Sequence, residues 1–378
     1  MGIFSDGDAY TALGVRRLIN AAGADTTKGG STLSSESLQL MAKANDNWVD
    51  MPELYLAAGD HIARLLGVEA AHVTSGAAAA LTLSAAACMT GSDKEKMGRL
   101  PDSIGMKNEF VVLAAHDYIF SRCLTYPGGK LVKAGDLRGC TPDQLSSAIG
   151  PNTAAVEYWV GYLGDADIPT LEQTVEIAHR HDVPVIADAA AIVYPLDRFV
   201  TTARTADLAC FGGKYIDGPN ASGYVCGKKD LVDAVMAHGF VEFHSDGQGF
   251  GRAMKMDRHQ IVALVAVVDA WLSTNHEDRL AAIEQRLVRM NEALSQLPVF
   301  NGEIVERFPA YFGYCLRARI DTAAVGKTVP EIAADLYEED PRIWILPLDD
   351  DNVELNVYAL NDGEDEIVIE RVTNALTT

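Results

Sequence analysis

From about residue 54 to residue 227 the sequence alternates short apolar runs with stretches of helical spacing. "ELYLAAGDHIARLLG" has apolar residues at helical intervals and stops on Gly67, and "AAHVTSG" is a short run into a turn that opens the helical "AAAALTLSAAACMTG". "EFVVLAA", "KLVKAG", "TAAVEYWVG", "VPVIADAAA" and "ADLACFGG" read as further strands, with "YIFSRCLTYPGG", "TPDQLSSAIG" and "PTLEQTVEIAHRHD" as helices among them and "ASGYVCGKK" closing the series. Strands that alternate with helices of this length predict an α/β fold, a mainly parallel sheet covered on both faces. Beyond it, "RHQIVALVAVVDAWLSTN" reads as a connector helix, and the later segments mix strands and helices in another order, predicting a smaller α+β domain. The expected division is an N-terminal segment 1–40, a large domain 41–254, and a connector helix with a small C-terminal domain over 255–378.

Composition narrows the functional classes. With 31 basic and 53 acidic side chains, the 378-residue chain carries a formal charge of −22. That field opposes nucleic acid and anionic membrane, so neither is an expected partner. No apolar run reaches the roughly 18–20 residues that span a bilayer, and the opening lacks the basic-then-apolar order of a secretory signal. Six scattered cysteines with no C-x-x-C pair fit reduced, mostly buried thiols in a cytoplasmic protein, and no metal site is expected.

Three features fall at strand ends, where open α/β sheets bind ligands. In "VTSGAAAAL", Ser75, Gly76 and Ala77 open a helix whose first turn is all small residues, which leaves its N–H groups and dipole for an anion. Asp188 ends the apolar run "VPVIAD", where a carboxylate is costly without a cation or donor beside it. Lys214 follows the next run in "LACFGGKYIDGPNASGYVCG", 26 residues further on; a buried amine there becomes a usable nucleophile and base. Singly, each has a plainer reading: a capped turn, a helix-capping acid, a surface lysine. Together and in this order they match the needs of pyridoxal 5′-phosphate, whose phosphate takes the helix terminus, whose ring nitrogen takes the acid, and whose aldehyde takes the lysine as a Schiff base. His116 in "VVLAAHDYIF" is a further candidate, a flat side chain able to cover the ring. A dinucleotide-binding reading would need G-x-G-x-x-G after the first strand, and that motif is absent.

At these residues the chain resembles fold type I of the pyridoxal-phosphate enzymes, the aspartate aminotransferase superfamily, and within it the selenocysteine-synthase-like branch that includes D-glucosaminate-6-phosphate ammonia-lyases. The resemblance runs from about Tyr10 to Leu272 and rests on "YTALGVRRLINAAGADTTKGGS", "VEAAHVTSGAAAALTLSAAACMTG", "VVLAAHDY", "VIADAAA", "FGGKYIDGPNASGYVCGKKDLVDA" and "GQGFGRAMKMDRHQIVALVAVVDAWL". It implies Lys214 as the Schiff-base lysine, Asp188 as partner of the pyridinium, His116 stacked on the ring, and Ser75, Gly76 and Ala77 on the phosphate. It also brings forward Arg252 and Lys255 of "GRAMKM" and, more weakly, Asn20 as substrate-side residues, with Arg342 of "DPRIWILP" or Arg252 for the substrate carboxylate. A homodimer or higher homo-oligomer is implied by the resemblance alone. The expected activity is a lyase that eliminates a β-hydroxyl or other β-substituent from a small-molecule amino acid, giving a 2-oxo acid and ammonia. A racemase or epimerase, an aldolase, a selenocysteine-synthase-like transferase and a catalytically silent fold remain alternatives. "AAHDYIF" departs from the arginine-rich approach to the histidine usual in the branch, which bears on phosphorylated-sugar specificity.

Overall fold

The computed structural model describes residues 9–308 and 311–377. The chain forms two compact units: a larger one built on Thr32–Thr274, and a smaller one of Met1–Ser31, Asn275–Phe308 and Phe312–Thr378. Among the described residues, no helix is long and apolar enough to cross a membrane.

Strand β1 (Leu18–Asn20) belongs to the small unit. The large unit holds β2 (Ala70–Thr74), β3 (Glu109–Leu113), β4 (Lys130–Ala134), β5 (Thr153–Trp159), β6 (Val185–Asp188), β7 (Leu208–Gly212) and β8 (Gly223–Gly227). They form one seven-stranded sheet in the order β2-β8-β7-β6-β5-β3-β4. Every pairing from β7 across to β4 is parallel, while β8 runs antiparallel to both β7 and β2. Central strands β6 and β7 are buried along their whole length, which is why they read as unbroken apolar runs rather than as an alternation. The helix Ala77–Thr90 packs on β7, β8 and the helix Lys229–Ala237. It is apolar or small on every side, and eleven of its residues are buried. Flanking helices begin on side-chain caps: Thr141 with Gln144, and Thr170 with Gln173, each pair bonding the other's backbone N–H.

Three expectations shift. Residues up to Ser31 go with the small unit because β1 pairs in parallel with Arg342–Trp344. The helix Arg258–Ser273 goes with the large unit: Ile261, Leu264, Val268 and Trp271 are buried, the helix lies against Ser35–Asn45 and Met51–Leu66, and the Trp271 indole donates to the Val193 carbonyl at 2.8 Å. The segment "YIFSRCLTYPGG" winds only a six-residue 3-10 turn, Ile119–Leu124, because Pro127 and the two glycines after it leave no room for a longer helix.

In the small unit β9 (Phe300–Glu306), β10 (Tyr314–Ile320), β12 (Leu346–Pro347) and β13 (Asn352–Leu355) make an antiparallel sheet, β12-β13-β10-β9, while β11 (Arg342–Trp344) pairs with β1. The helices Glu277–Leu294, Val329–Glu338 and Glu364–Thr377 complete it.

Candidate active site

Strand register gathers the sequence-chosen residues of the large unit at one edge of its sheet. Thr74 ends β2 opposite Gly223, Gly223 opens β8 opposite Gly212, and Cys210 of β7 lies opposite Asp188 of β6. The turn after β2 and the turn after β7 are thus separated only by the start of β8, two strand spacings or about 10 Å.

At the first turn Gly76 has φ +103° and no side chain caps the helix it opens. The N–H groups of that first turn are left without helical acceptors. Thr74 Oγ1 donates to the Gly76 carbonyl at 3.1 Å, which fixes the turn from below. Gly223 is required by proximity: a Cβ there would lie 2.8 Å from the Gly76 carbonyl carbon and 2.9 Å from the Ala77 nitrogen. Ser75, Gly76 and Ala77 are half-buried.

Lys214 lies on the 3-10 turn Gly213–Ile216 that follows β7. The turn is pinned on both sides: Gly212 N–H donates to the Ala190 carbonyl at 3.0 Å, and Gly213 N–H to the Ser222 carbonyl at 2.8 Å. The side chain is half-buried rather than buried, with Nζ 4.7 Å from the centroid of the Tyr215 ring.

The Asp188 end is crowded. Asp188 is 2% exposed; its Oδ1 accepts from the Ala190 N–H at 3.1 Å and its Oδ2 from the Tyr118 hydroxyl. Burial holds its carboxyl above the usual carboxylate range, and those two bonds pull the other way. Tyr118 in turn stacks on Trp159, ring centroids 4.2 Å apart and planes 9° from parallel. His116 is fully buried, and burial drops its imidazole to about 4, so it is neutral. Its Nδ1 accepts from the Trp159 N–H at 3.2 Å, which puts its proton on Nε2, a buried atom with no acceptor among the described residues. Tyr158 and Tyr162 meet the imidazole edge-on or tilted, with centroids at 4.7 and 5.0 Å. A second acid, Glu157, is buried mid-strand in β5, and burial, then Asp188 and Asp117, raise it well above its ordinary range.

Sequence reasoning missed Tyr118, Trp159 and Glu157. Glu157 carried a readable signal, a carboxyl inside the apolar run "TAAVEYW". Tyr118 stands two residues after the chosen His116, but its partner Asp188 is 70 positions away, beyond any local pattern.

The substrate-side candidates divide between the two units. Arg252 and Lys255 are exposed and make no hydrogen bond or ion pair with the described residues. Asn20 belongs to the small unit, and its side chain is spent on a local turn: Nδ2 donates to the Gly23 carbonyl at 2.7 Å while Oδ1 accepts from the Ala22 and Gly23 N–H groups. Arg342, also of the small unit, lays its guanidinium over the Tyr337 ring at 4.7 Å.

These residues fit pyridoxal 5′-phosphate. The uncapped helix start bared by Gly76 and Gly223 suits a phosphate, and the half-buried Lys214 amine suits its aldehyde. Asp188 retains lone pairs for a third donor, and the unmatched Nε2–H of His116 has capacity for an acceptor. Among the described residues all six cysteines are free thiols.

No protein-family model matches the chain. It is 29% identical over 377 residues to a 5′-C-glycyluridine monooxygenase-decarboxylase from a Streptomyces species, covering 97% of this chain and 92% of that one. It is 27% identical over 340 residues to the D-glucosaminate-6-phosphate ammonia lyase of Salmonella typhimurium, covering 89% and 88%. A solved structure of D-glucosaminate-6-phosphate ammonia-lyase superposes with a TM-score of 0.83 at 25% identity, covering 98% of both chains. The fold is shared more widely, for a Thermus thermophilus aspartate aminotransferase superposes at 0.54 with 18% identity over 98% of this chain and 97% of its own.

Proposed function

We propose, for a chain that belongs to fold type I of the pyridoxal 5′-phosphate enzymes and to their selenocysteine-synthase-like branch, a lyase that removes the β-hydroxyl or another β-substituent of an amino acid to give a 2-oxo acid and ammonia. One observation carries the reading: Asp188, the Lys214 turn and the uncapped start of the helix Ala77–Thr90 share one sheet edge in adjoining strands. Joined to an amine through its aldehyde, the cofactor supplies an electron sink that acidifies the neighbouring Cα–H.

The chain's residues then divide the work. The amides at Ser75, Gly76 and Ala77 hold the phosphate and orient the ring. Asp188 would keep a proton on the ring nitrogen; burial raises its carboxyl, and a cation beside it favours the charged form, the more strongly for being buried. Lys214 would hold the cofactor's aldehyde and, as a free amine, would serve as the base that takes the proton from the substrate's Cα. The β-hydroxyl would leave as water on receiving that proton back from the Lys214 ammonium, and the enamine so released would take up water to give the oxo acid and ammonia. His116 is neutral and donates from Nε2, so it serves as cover and hydrogen-bond donor, not as an acid at neutral pH.

The similarity to a monooxygenase-decarboxylase supports a second reading, a decarboxylation with oxygen, which would begin on the same amine and break a different bond at Cα. The named substrates of both relatives combine amino-acid and carbohydrate chemistry, a glucosaminate phosphate in one and a glycyluridine in the other, which supports a sugar-derived or sugar-bearing amino acid as the substrate here. Arg252 and Lys255, exposed and unpaired within the chain, support a homodimer in which they meet a second copy. The free thiols support a cytoplasmic location.

The test is an absorbance spectrum of purified protein, borohydride trapping with peptide mapping, and a panel of D- and L-β-hydroxy amino acids. Ammonia, oxo acid, oxygen uptake and carbon dioxide are followed together. We expect the label on Lys214, ammonia with oxo acid from one enantiomer, and at least about a 10³-fold loss of turnover with the visible band in Lys214→Ala. Inverted enantiomer, or aldehyde with glycine, overturns the lyase and spares the cofactor. Oxygen uptake with carbon dioxide selects the second reading.

A further inference from the structure

The small unit carries a concentration of unspent chemistry of its own. Strand β11 alternates: Ile343 faces the core with its register partner Ile19, so Arg342 and Trp344 share the other face. Lys28, at the end of the turn Thr26–Lys28, holds Nζ 4.0 Å from the centroid of the Trp344 ring and 5.2 Å from that of Tyr337. Arg342 covers Tyr337 as well, at 4.7 Å. Two cations therefore share one aromatic ring and lie within about 10 Å of each other, held by ring faces that orient positive charge without neutralising it.

Three nearby acids are matched elsewhere. On the helix Val329–Glu338 that bears Tyr337, and just after it, Asp335 pairs with Lys327 at 2.9 Å, Glu338 with Arg16 at 3.1 Å, and Glu339 with Arg371 at 2.6 Å. Among the described residues neither Lys28 nor Arg342 makes an ion pair or a hydrogen bond through its charged group. In a chain with 53 acids and 31 bases, two adjacent cations without an acid are unlike their surroundings. Two donors on the same strand are also unanswered: Arg342 Nε and Trp344 Nε1 are buried and have no acceptor among the described residues. A buried N–H is costly to leave unbonded, and both lie on one face of one short strand.

We infer that Lys28, Arg342 and Trp344 form a binding site for an anionic oxygen group of phosphate or carboxylate type. Two positive charges balance a phosphoryl dianion, Arg342 suits either group through its planar fork, and the indole N–H adds a neutral donor. The site would select ligands that carry such a group, whether as part of the substrate or as a free anion.

The test uses holoenzyme, so that the cofactor's phosphate occupies its own cradle. Titration calorimetry with inorganic phosphate and, separately, with acetate is run at constant ionic strength, alongside tryptophan emission. We expect saturable phosphate binding at one site per chain with a dissociation constant on the order of 1 mM, weakened about tenfold in Lys28→Met and in Arg342→Met, and a change in emission that Trp344→Phe abolishes. Lys28→Arg is expected to retain binding within about threefold, which separates charge from folding. Acetate binding tighter than phosphate assigns a carboxylate site, and competition by a phosphorylated amino acid but not by its unphosphorylated form assigns the group to the substrate. Absence of saturable heat with either anion, or equal binding in wild type and both methionine variants, overturns the site. No outcome depends on ammonia release, so the lyase reading stands or falls apart from it.

Discussion

At the Ser75–Ala77 end of the active site the protein offers backbone alone: no side chain caps the helix, and two glycines keep the approach clear. At the Asp188 end, side chains do almost everything, with a phenol and a backbone amide on the carboxyl, a stacked indole behind the phenol, and a neutral imidazole held by a main-chain N–H. Amides in a fixed turn cannot be titrated and respond only to shape. A buried acid among aromatic rings responds to charge and to the loss of single hydrogen bonds. The two ends should therefore fail differently, one in holding the cofactor and the other in using it.

The largest effect is expected at the side-chain end. Asp188→Asn keeps the shape and the capacity to accept from Tyr118, and removes the charge that retains a proton on the ring nitrogen. Turnover should fall about 10³-fold, while the cofactor still binds and borohydride still labels Lys214. Steady-state rates with an equilibrium-dialysis measurement of cofactor affinity check this. Loss of the cofactor in step with the rate would break the contrast, because the acid would then be an anchor.

The backbone end should show the reverse. Gly223→Ala drives a Cβ to within 2.5 Å of the Phe211 carbonyl oxygen, 2.8 Å of the Gly76 carbonyl carbon and 2.9 Å of the Ala77 nitrogen, so β8 is pressed off β7 and the cradle must give. Overpacking of this kind costs about 1–3 kcal/mol, which predicts cofactor affinity weakened by about 10- to 100-fold. At saturating cofactor the rate should return to near the parent value. A rate that stays low when the cofactor is saturating would mean that the two ends are mechanically coupled.

How far the sequence disclosed this site follows the same division. The turns that hold Ser75 and Lys214, and Asp188 itself, each follow or end a buried strand, and sheet order brings those strand ends together, so the candidates' common place in the fold was readable from order alone. The sheet was readable for the same reason, since β6 and β7 are apolar throughout. What depends on side chains meeting across the sheet was not. The Tyr118 bond to Asp188, its stack on Trp159 and the pairing of Lys28 with Trp344 leave no periodicity behind. His116 was chosen for its position after β3, and the structure surrounds it with tilted and edge-on rings while the parallel stack belongs to Tyr118. The helix Arg258–Ser273 was set with the wrong unit because its apolar face says that it is buried, not against which partner.

Tyr118→Phe makes the finest cut, since it removes one donor and leaves the ring stacked on Trp159. Two opposed influences act on Asp188: burial raises its carboxyl, and the Tyr118 and Ala190 bonds lower it. Deleting the phenol removes one of the lowering influences, so the carboxyl must move up. A carboxyl moved up is a weaker acid, so its charged form is lost at a higher pH as the solution is acidified. The acidic limb of the kcat/KM profile should accordingly move to higher pH, and turnover on the plateau should drop by only about three- to tenfold, as befits one hydrogen bond. Cofactor affinity, set at the other end, should not change. If the limb stays where it is in the parent enzyme, Tyr118 does not tune Asp188, and the side-chain end reduces to a single acid in an apolar wall.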